Sequence, residues 1–432
     1  MDPLFVSIVL LTALAVLLVA GVWIALALLG IGWIAMVFFT AAPAGKLMAT
    51  TVWGSSANWA LTALPLFIWM GEILFRSRIS EDMFKGLAPW MAPLPGRLMH
   101  CNVFGCGIFA AISGSSAATA ATIGKITIPE LKKRGYDERM SIGSLAGAGT
   151  LGLLIPPSII MIVYGVAADV SIARLFVAGV LPGIMLMLLF SGYIAAWALL
   201  NPARTPPRDR VASLGEKLYA IRHLAPTVAL IVAVIGSIYT GIATPTEVGA
   251  LGALLAGIIG AAFGRLTFAD AVDALKSTIR TSAMIFLILI GATIFGYYMA
   301  LSRIPQEVVM AVTAMDLNRW VVISGIVIAY FVISMFMDEI PLLLLTLQLT
   351  FPLITSLGFD PIWFGVLSMM MVSMGLVFPP VGLIAFIVSA TAGVDLMKVY
   401  KGTSILMLSI VITTVLLMIF PQIALWLPAT MR

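Results

Sequence analysis

Long apolar runs recur from one end of this 432-residue chain to the other. Residues 4–39 are almost uninterrupted and suit two short spans that meet near Gly21, and single spans are predicted at residues 58–75, 175–199, 223–243, 246–263, 281–300 and 403–427. A helix that crosses a hydrocarbon layer of roughly 30 Å needs about 20 apolar residues. Only 10% of the chain is charged, whereas soluble domains contain about 25%. The sequence therefore predicts an all-α polytopic membrane protein.

Several functional classes lack their characteristic residues here. Cys101 and Cys106 lie in an apolar stretch, and with two histidines in the chain no zinc or haem spacing is present. We expect both to be buried free thiols, with a disulfide between them as the alternative. The Gly-rich, Lys-containing loop that holds nucleotide phosphates is absent, so ATP does not drive the protein directly. The first apolar run has neither a basic segment nor a cleavage site, which indicates a retained span rather than a signal peptide.

Two apolar segments contain almost the same hexapeptide, GLLIPP at residues 152–157 and GLVFPP at residues 375–380. Proline lacks an N–H and clashes with the preceding turn, so a Pro-Pro pair interrupts a helix. Freed main-chain groups cost several kcal/mol in lipid, and an interruption survives only where protein or a water-lined cavity covers it. We predict broken helices at residues 140–168 and 361–391. A kink that only shapes packing is the plainer alternative.

The two breaks belong to an internal repeat. A gap-free shift of 223 residues superimposes both hexapeptides and also matches Pro129 with Pro352, Gly135 with Gly358 and Asp137 with Asp360. A single shift that matches all of these positions argues against coincidence in a composition rich in glycine and proline. The repeat divides the chain into residues 1–200, a polar cytoplasmic linker at residues 201–222, and residues 223–432.

The positions of basic residues indicate that the repeats are inverted. If residues 98–127 and 320–357 are re-entrant hairpins, each half has five spans and the second half is upside down. This threading places all but five of the 24 Lys and Arg residues on one face. The five exceptions are Lys46, Arg174, Arg303, Arg319 and Arg432. The crowded face is then cytoplasmic, and both termini are predicted to be periplasmic.

Matched breaks in inverted repeats predict a binding site near the middle of the bilayer. Carbonyls freed by the prolines Pro156, Pro157, Pro379 and Pro380 are hard oxygen ligands suited to Na⁺, and Gly152 and Gly375 allow the chain to approach closely. The hairpin tips offer helix N-termini, which favour an anion such as a carboxylate. Ser113, Ser115 and Ser116 are candidate caps for the first tip and Asp338 for the second. The plainer alternatives are that the small residues only allow close helix packing and that Asp338 is a cap and no ligand.

The segment ISGSSAATAATIGKITIPELKKRGYDERMSIGSLAGAGTLGLLIPPSIIMIVYG at residues 112–165, with FMDEIP and GLVFPPVGL, closely resembles the large membrane subunit of tripartite ATP-independent periplasmic (TRAP) transporters. The resemblance covers essentially the whole chain. It implies Na⁺-driven uptake of an organic acid across the bacterial inner membrane by an elevator-type movement. It also implies a periplasmic substrate-binding protein and a small four-helix membrane subunit. Nothing like four further helices precedes residue 4, so we expect that subunit to be a separate chain.

The resemblance also implies two sodium sites. The first would comprise Ser113, Ser116, Gly152 and Pro157, and the second Ser334, Gly375, Phe378 and Val381. Relatives usually carry glycine where Ser334 stands and often a hydroxyl residue where Phe378 stands. If the ligands there are main-chain carbonyls, the second site is retained; if a side-chain oxygen is needed, it is weakened. Ser115, Asp338, Pro156, Pro379 and Pro380 are expected beside the substrate at the hairpin tips and breaks.

Two other functions fit the sequence less well. A stand-alone ion-coupled anion or dicarboxylate carrier of the same broad architecture typically has Ser-Asn-Thr at both hairpin tips, and neither tip here contains it. An intramembrane protease would need two aspartates from different spans that share a proton. Asp338 has no such partner in the sequence, so the chain is not expected to be an enzyme.

Overall fold

A computed structural model of the protein describes residues 3–39, 43–77, 79–206, 212–263 and 266–431. These residues form α-helices and short 3-10 turns, and eight helical stretches among them are long and apolar enough to cross a bilayer. The first half contains α1 Pro3–Val19, α2 Ile24–Phe39, α3 Ala44–Ser56, α4 Ala63–Arg76, α5 Ile79–Met91, α6 His100–Ser113, α7 Ser116–Lys133, α8 Glu138–Gly149, α9 Leu151–Leu154, α10 Ile159–Ala167 and α11 Ile172–Leu200. The second contains α12 Leu214–Tyr239, α13 Pro245–Ala262, α14 Phe268–Leu301, α15 Ile304–Ala314, α16 Arg319–Ser334, α17 Glu339–Ser356, α18 Pro361–Gly375, α19 Leu383–Ala392, α20 Leu396–Ile419 and α21 Gln422–Ala429.

Both predicted hairpins and both predicted broken helices are present. Helices α6 and α7 pack against each other as the first hairpin, and α16 and α17 as the second. The first break separates Leu154 from Ile159, and the second separates Gly375 from Leu383. The first hairpin continues to Lys133, beyond the predicted end at residue 127; Pro129 lies inside α7 without ending it, and Gly135, whose φ is +74°, follows the helix.

The helix bounds follow the same offset as the sequence repeat. A shift of 223 residues carries Ser116–Lys133 of α7 onto Glu339–Ser356 of α17 without a difference at either end. It also carries α2 onto α13 and α5 onto α15 to within two residues. The two halves therefore share one order of elements, while their opposite orientation in the membrane stays a prediction.

The hairpins and broken helices of the two halves interlock. Helix α7 packs against α19, and α10 packs against α17, so each hairpin contacts the broken helix of the other half. Helices α8 and α20 cross so closely that a Cβ on Gly143 would overlap the main chain of Gly402. We call residues 100–200 and 319–419 the hairpin domain. The scaffold comprises residues 3–91 and 214–314, in which α2 packs against α14, α4 against α13 and α5 against α12.

The predicted linker at residues 201–222 is only partly irregular. Helix α12 begins at Leu214, because Ser213 and Glu216 form a reciprocal capping box there. The Glu216 N–H donates to Ser213 Oγ at 3.2 Å, and the Ser213 N–H donates to Glu216 Oε2 at 2.6 Å. Residues 207–211 of the linker, like Arg432, lie outside the described residues.

Three further boundaries differ from the prediction. Residues 268–280 and the predicted span at 281–300 form one helix, α14, since no glycine or proline separates them. The last run is two helices, α20 and α21, because Pro421 interrupts it. Helix α5 was not predicted, although Glu81 and Asp82 in its first turn favour a helix N-terminus.

Cys101 and Cys106 are buried free thiols, as predicted.

Candidate functional site

The first candidate site lies where the α6–α7 tip meets the break between α9 and α10. Gly114 ends α6 with a φ of +60°, and its carbonyl accepts a hydrogen bond from the Ile159 N–H at 3.2 Å. A Cβ added to Gly114 would lie 2.7 Å from the Pro157 carbonyl oxygen. Only a glycine with no side chain allows the tip and the break to approach this closely.

Gly152 brings the other side of the break against the same tip. A Cβ at this position would lie 2.5 Å from the Ser116 main-chain nitrogen, which is closer than any ordinary contact. In an unbroken helix the carbonyls of Gly152 and Leu153 would accept from residues 156 and 157. Both of those residues are prolines, so these carbonyls lack their usual donors and are free to face a cation.

The three serines of the first tip have different partners. Ser115 is the N-cap of α7, and its hydroxyl accepts from the Ala118 N–H at 3.4 Å. Ser113 Oγ lies 3.0 Å from Thr119 Oγ1. The Ser116 hydroxyl is buried and has no hydrogen-bond partner among the described residues. The structure thus gathers all four residues of the predicted first sodium site, Ser113, Ser116, Gly152 and Pro157, around one tip and one break.

The second candidate site repeats this contact between tip and break. A Cβ on Gly375 would overlap the hydroxyl and main chain of Ser334, the last residue of α16. Ser334 Oγ donates to the Phe331 carbonyl at 2.8 Å. The Phe331 and Phe378 rings lie 5.3 Å apart between centroids, so Phe378 packs its side chain against the hairpin.

The second break is more open than the first and is held by a tyrosine. Pro156 and Pro157 are buried, whereas Pro379 and Pro380 are exposed. Tyr400 of α20 donates its hydroxyl to the carbonyls of Pro380 at 3.2 Å and Val381 at 2.9 Å. The Val381 carbonyl, a predicted sodium ligand, therefore has a fixed direction but still has a second lone pair.

Asp338 occupies the N-cap position of α17 with extended backbone angles, but it does not form the capping bond that the sequence predicts. Its carboxylate makes no capping hydrogen bond with that helix and is exposed at the second tip.

A cavity of about 400 Å³ separates the first tip from the scaffold. Ser113 and Ser115 line it from the hairpin, and Glu72 of α4 and Thr281 of α14 line it from the scaffold. Glu72 accepts a hydrogen bond from Arg76, one turn further along α4, at 3.3 Å. The volume is sufficient for a small organic ligand, and the few polar groups lie on both domains.

A family model described as tripartite ATP-independent periplasmic transporter, DctM component, matches residues 11–423. The chain belongs to this family. It is 32% identical over 369 residues to the ectoine/5-hydroxyectoine TRAP transporter large permease protein UehC of Ruegeria pomeroyi, covering 85% of this chain and 86% of that one. It is 29% identical over 384 residues to the C4-dicarboxylate TRAP transporter large permease protein DctM of Pseudomonas aeruginosa, covering 89% of each.

A solved structure supports the fold. The Alcanivorax borkumensis YdaH transporter matches with a TM-score of 0.68 and 14% identity, and the match covers 95% of this chain and 99% of that chain. The chain is therefore a multi-pass TRAP transporter large permease subunit and not an enzyme, as the sequence predicted.

Sequence reasoning did not identify Ser158, Thr281 or Tyr400. Thr281 and Tyr400 matter because they meet segments far away in the chain, and Ser158 matters because its hydroxyl lacks a partner among the described residues.

Proposed function

We propose that this TRAP permease couples the entry of Na⁺ to the uptake of an organic acid, which a periplasmic binding protein delivers. The observation that carries the proposal is the repeated close contact between a hairpin tip and a Pro-Pro break. At both places a glycine, Gly152 or Gly375, allows main-chain groups of a broken helix to meet the tip. Unwound carbonyls at such breaks bind coupling cations in membrane transporters.

The first site has the oxygen groups that a sodium ion needs. The Gly152 and Leu153 carbonyls lack their helical donors, because residues 156 and 157 are prolines without an N–H. The Ser116 hydroxyl is buried without a partner among the described residues. A buried, unpaired hydroxyl costs about 1–3 kcal/mol. A bound cation would remove that cost, which supports a site at this position.

An organic acid fits the cavity beside the first tip. The N-terminus of α7 borders the cavity at Ser115, and helix N-termini stabilise carboxylates. The cargo named for relatives differs, with ectoines in one and C4-dicarboxylates in another. We therefore propose the class of substrate and not one compound, with selectivity set largely by the binding protein.

Uneven contacts between the two domains support an elevator-type movement. Helix α4 packs along α6, and a Cβ on Gly71 would lie 3.0 Å from Ser113 Cα at the first tip. Helix α14 packs instead along α17, where a Cβ on Gly296 would lie 2.5 Å from Gln348 Cδ. In an inverted repeat each half can adopt the contacts that the other half now makes. If the α4–α6 and α14–α17 contacts exchanged in this way, the site would open to the other side of the membrane. The hairpin domain would then slide along the scaffold and carry both tips with it.

The proposal predicts uptake that needs three proteins and an ion gradient. The purified permease would be reconstituted in liposomes with its small membrane subunit, and the binding protein and radiolabelled acid would be added outside. We expect uptake only when an inward Na⁺ gradient and both partners are present. One net charge moved inward gains about 2.3 kcal/mol per 100 mV, or roughly 50-fold accumulation. Uptake by this chain alone would instead indicate a stand-alone carrier.

A further inference from the structure

Ser158 occupies the N-cap position of α10, directly after the first Pro-Pro pair, but does not cap the helix. Ser115, Ser171 and Ser213 are also N-cap serines, and each accepts from the N–H three residues later at 3.4, 3.3 and 3.2 Å. Such a bond is the usual reason for serine at this position. The Ser158 side chain makes no such bond, so its hydroxyl does not cap the helix.

The Ser158 hydroxyl is also buried without a partner. Its side chain has 0% exposure, and no described residue makes a hydrogen bond to its oxygen. Leaving a buried hydroxyl unpaired is unfavourable, and most buried polar side chains in proteins have a partner. A bound ligand would satisfy this hydroxyl, which neither the helix end nor another described residue does.

The neighbours of Ser158 belong to the first sodium site. A Cβ on Gly114 would lie 3.4 Å from Ser158 Cα, which places the serine against the hairpin tip. The next residue, Ile159, donates to the Gly114 carbonyl at 3.2 Å. Ser116, two residues further along the tip, carries the other unpartnered hydroxyl. Two free hydroxyls therefore lie on the two segments that meet at this contact.

The repeat places Ser158 at the position that corresponds to a predicted cation ligand. The 223-residue shift carries Ser158 onto Val381, which the family resemblance places in the second sodium site. The organic acid is a poorer candidate, because Ile159 lines the cavity of about 400 Å³ and Ser158 does not. A fully enclosed oxygen suits a small dehydrated ion better than a carboxylate compound.

We propose that the Ser158 hydroxyl is a ligand of the coupling Na⁺ at the first break, an assignment that rests on the proposed function. The first site would then have two side-chain ligands beside its carbonyls: Ser158 on the broken helix and Ser116 on the hairpin.

The test compares Ser158→Ala with Ser171→Ala in the purified complex of permease and small subunit. The melting temperature would be measured at rising NaCl, with choline chloride keeping the ionic strength constant. A ligand that binds only the folded protein raises this temperature. Loss of a bond to a charged group should weaken Na⁺ binding about tenfold or more in Ser158→Ala. Ser171→Ala loses a real cap, so its melting temperature should fall while its Na⁺ response stays normal.

The same variants would be assayed for Na⁺-dependent uptake. We expect the Na⁺ concentration for half-maximal uptake to rise in Ser158→Ala. An unchanged Na⁺ midpoint, or a weaker affinity for the acid alone, would overturn the assignment. If Ser158→Ala does not fold, Ser158→Cys keeps the volume but replaces the hard oxygen with sulfur and should show the same loss. A wild-type complex with no Na⁺ response would refute the proposed function itself.

Discussion

Sliding of the hairpin domain makes a specific prediction for residues that are now far apart. Under the 223-residue shift, the contact between Gly71 and Ser113 becomes a contact between Ile294 and Phe336. Phe336 is 63% exposed at the second tip. Ile294 faces α2, where its side chain lies against Gly32, so the neighbouring Thr293 is the better position to substitute. Thr293 lines the cavity that faces α17.

The required movement follows from the helix rise. Gln348 now lies opposite Gly296, and Phe336 precedes Gln348 by twelve residues along the second hairpin. In the predicted topology α14 and α17 run in the same direction. Thr346 of α17 now lies level with position 294, and α17 begins seven residues earlier at Glu339, so bringing the second tip level with position 294 needs a slide of about 10 Å at 1.5 Å per residue. A disulfide forms only when the two Cα atoms are about 4.4–6.8 Å apart.

The assay uses Thr293→Cys and Phe336→Cys together, with Cys101 and Cys106 replaced by alanine. We expect a mild oxidant to link the pair in membranes, to stop uptake, and to block maleimide labelling of both cysteines. Reductant should restore all three properties. Each single-cysteine variant should stay active under oxidant. An active double variant that never forms the link, with or without Na⁺ and substrate, would refute the sliding movement.

Other substitutions test the contacts one at a time. Gly152→Ala and Gly375→Ala should each raise the Na⁺ concentration for half-maximal uptake about tenfold, because a Cβ would push the hairpin tip off the break; unchanged Na⁺ activation would contradict the assigned sites. Tyr400→Phe should weaken Na⁺ activation severalfold and leave folding intact, since it removes only the bonds to Pro380 and Val381; a normal Na⁺ midpoint would show that this hydroxyl is not needed. Gly143→Val should lower the melting temperature by several degrees, since its side chain would overlap Gly402; a stable variant would show that the two helices can separate.

The parts of the fold that sequence reasoning predicted are those with a local cause. Pro156-Pro157 and Pro379-Pro380 remove helix donors wherever they occur, and Gly114 favours a turn, so breaks and hairpins could be predicted from short segments. The continuity of α14 could not, because the polar residues before its apolar run looked like a separate piece. The early start of α12 was missed because the composition of residues 201–222 is that of a linker, although Ser213 and Glu216 carry a capping signature.

The sequence predicts where main-chain groups of the candidate site meet, but it does not identify all the side chains that take part. Gly152 and Gly375 lie where the hexapeptides indicate, and both meet a hairpin tip. Ser158 could not be singled out, because a serine before a helix normally caps it, and only the three-dimensional structure reveals that it does not. Tyr400 lies on a different helix, about 20 positions after the carbonyls that it contacts, and no periodicity connects it with them.

The interlocked packing of the two halves has a consequence for how the ions and the cargo communicate. Because α10 lies against α17 and α19 lies against α7, each break has one wall from its own half and one from the other. If the proposed sodium ions bind at the breaks, an ion at either one would contact segments that pack against both hairpins. Cooperation between the two proposed sites would then need no relay through distant residues, since the packed helices themselves connect them.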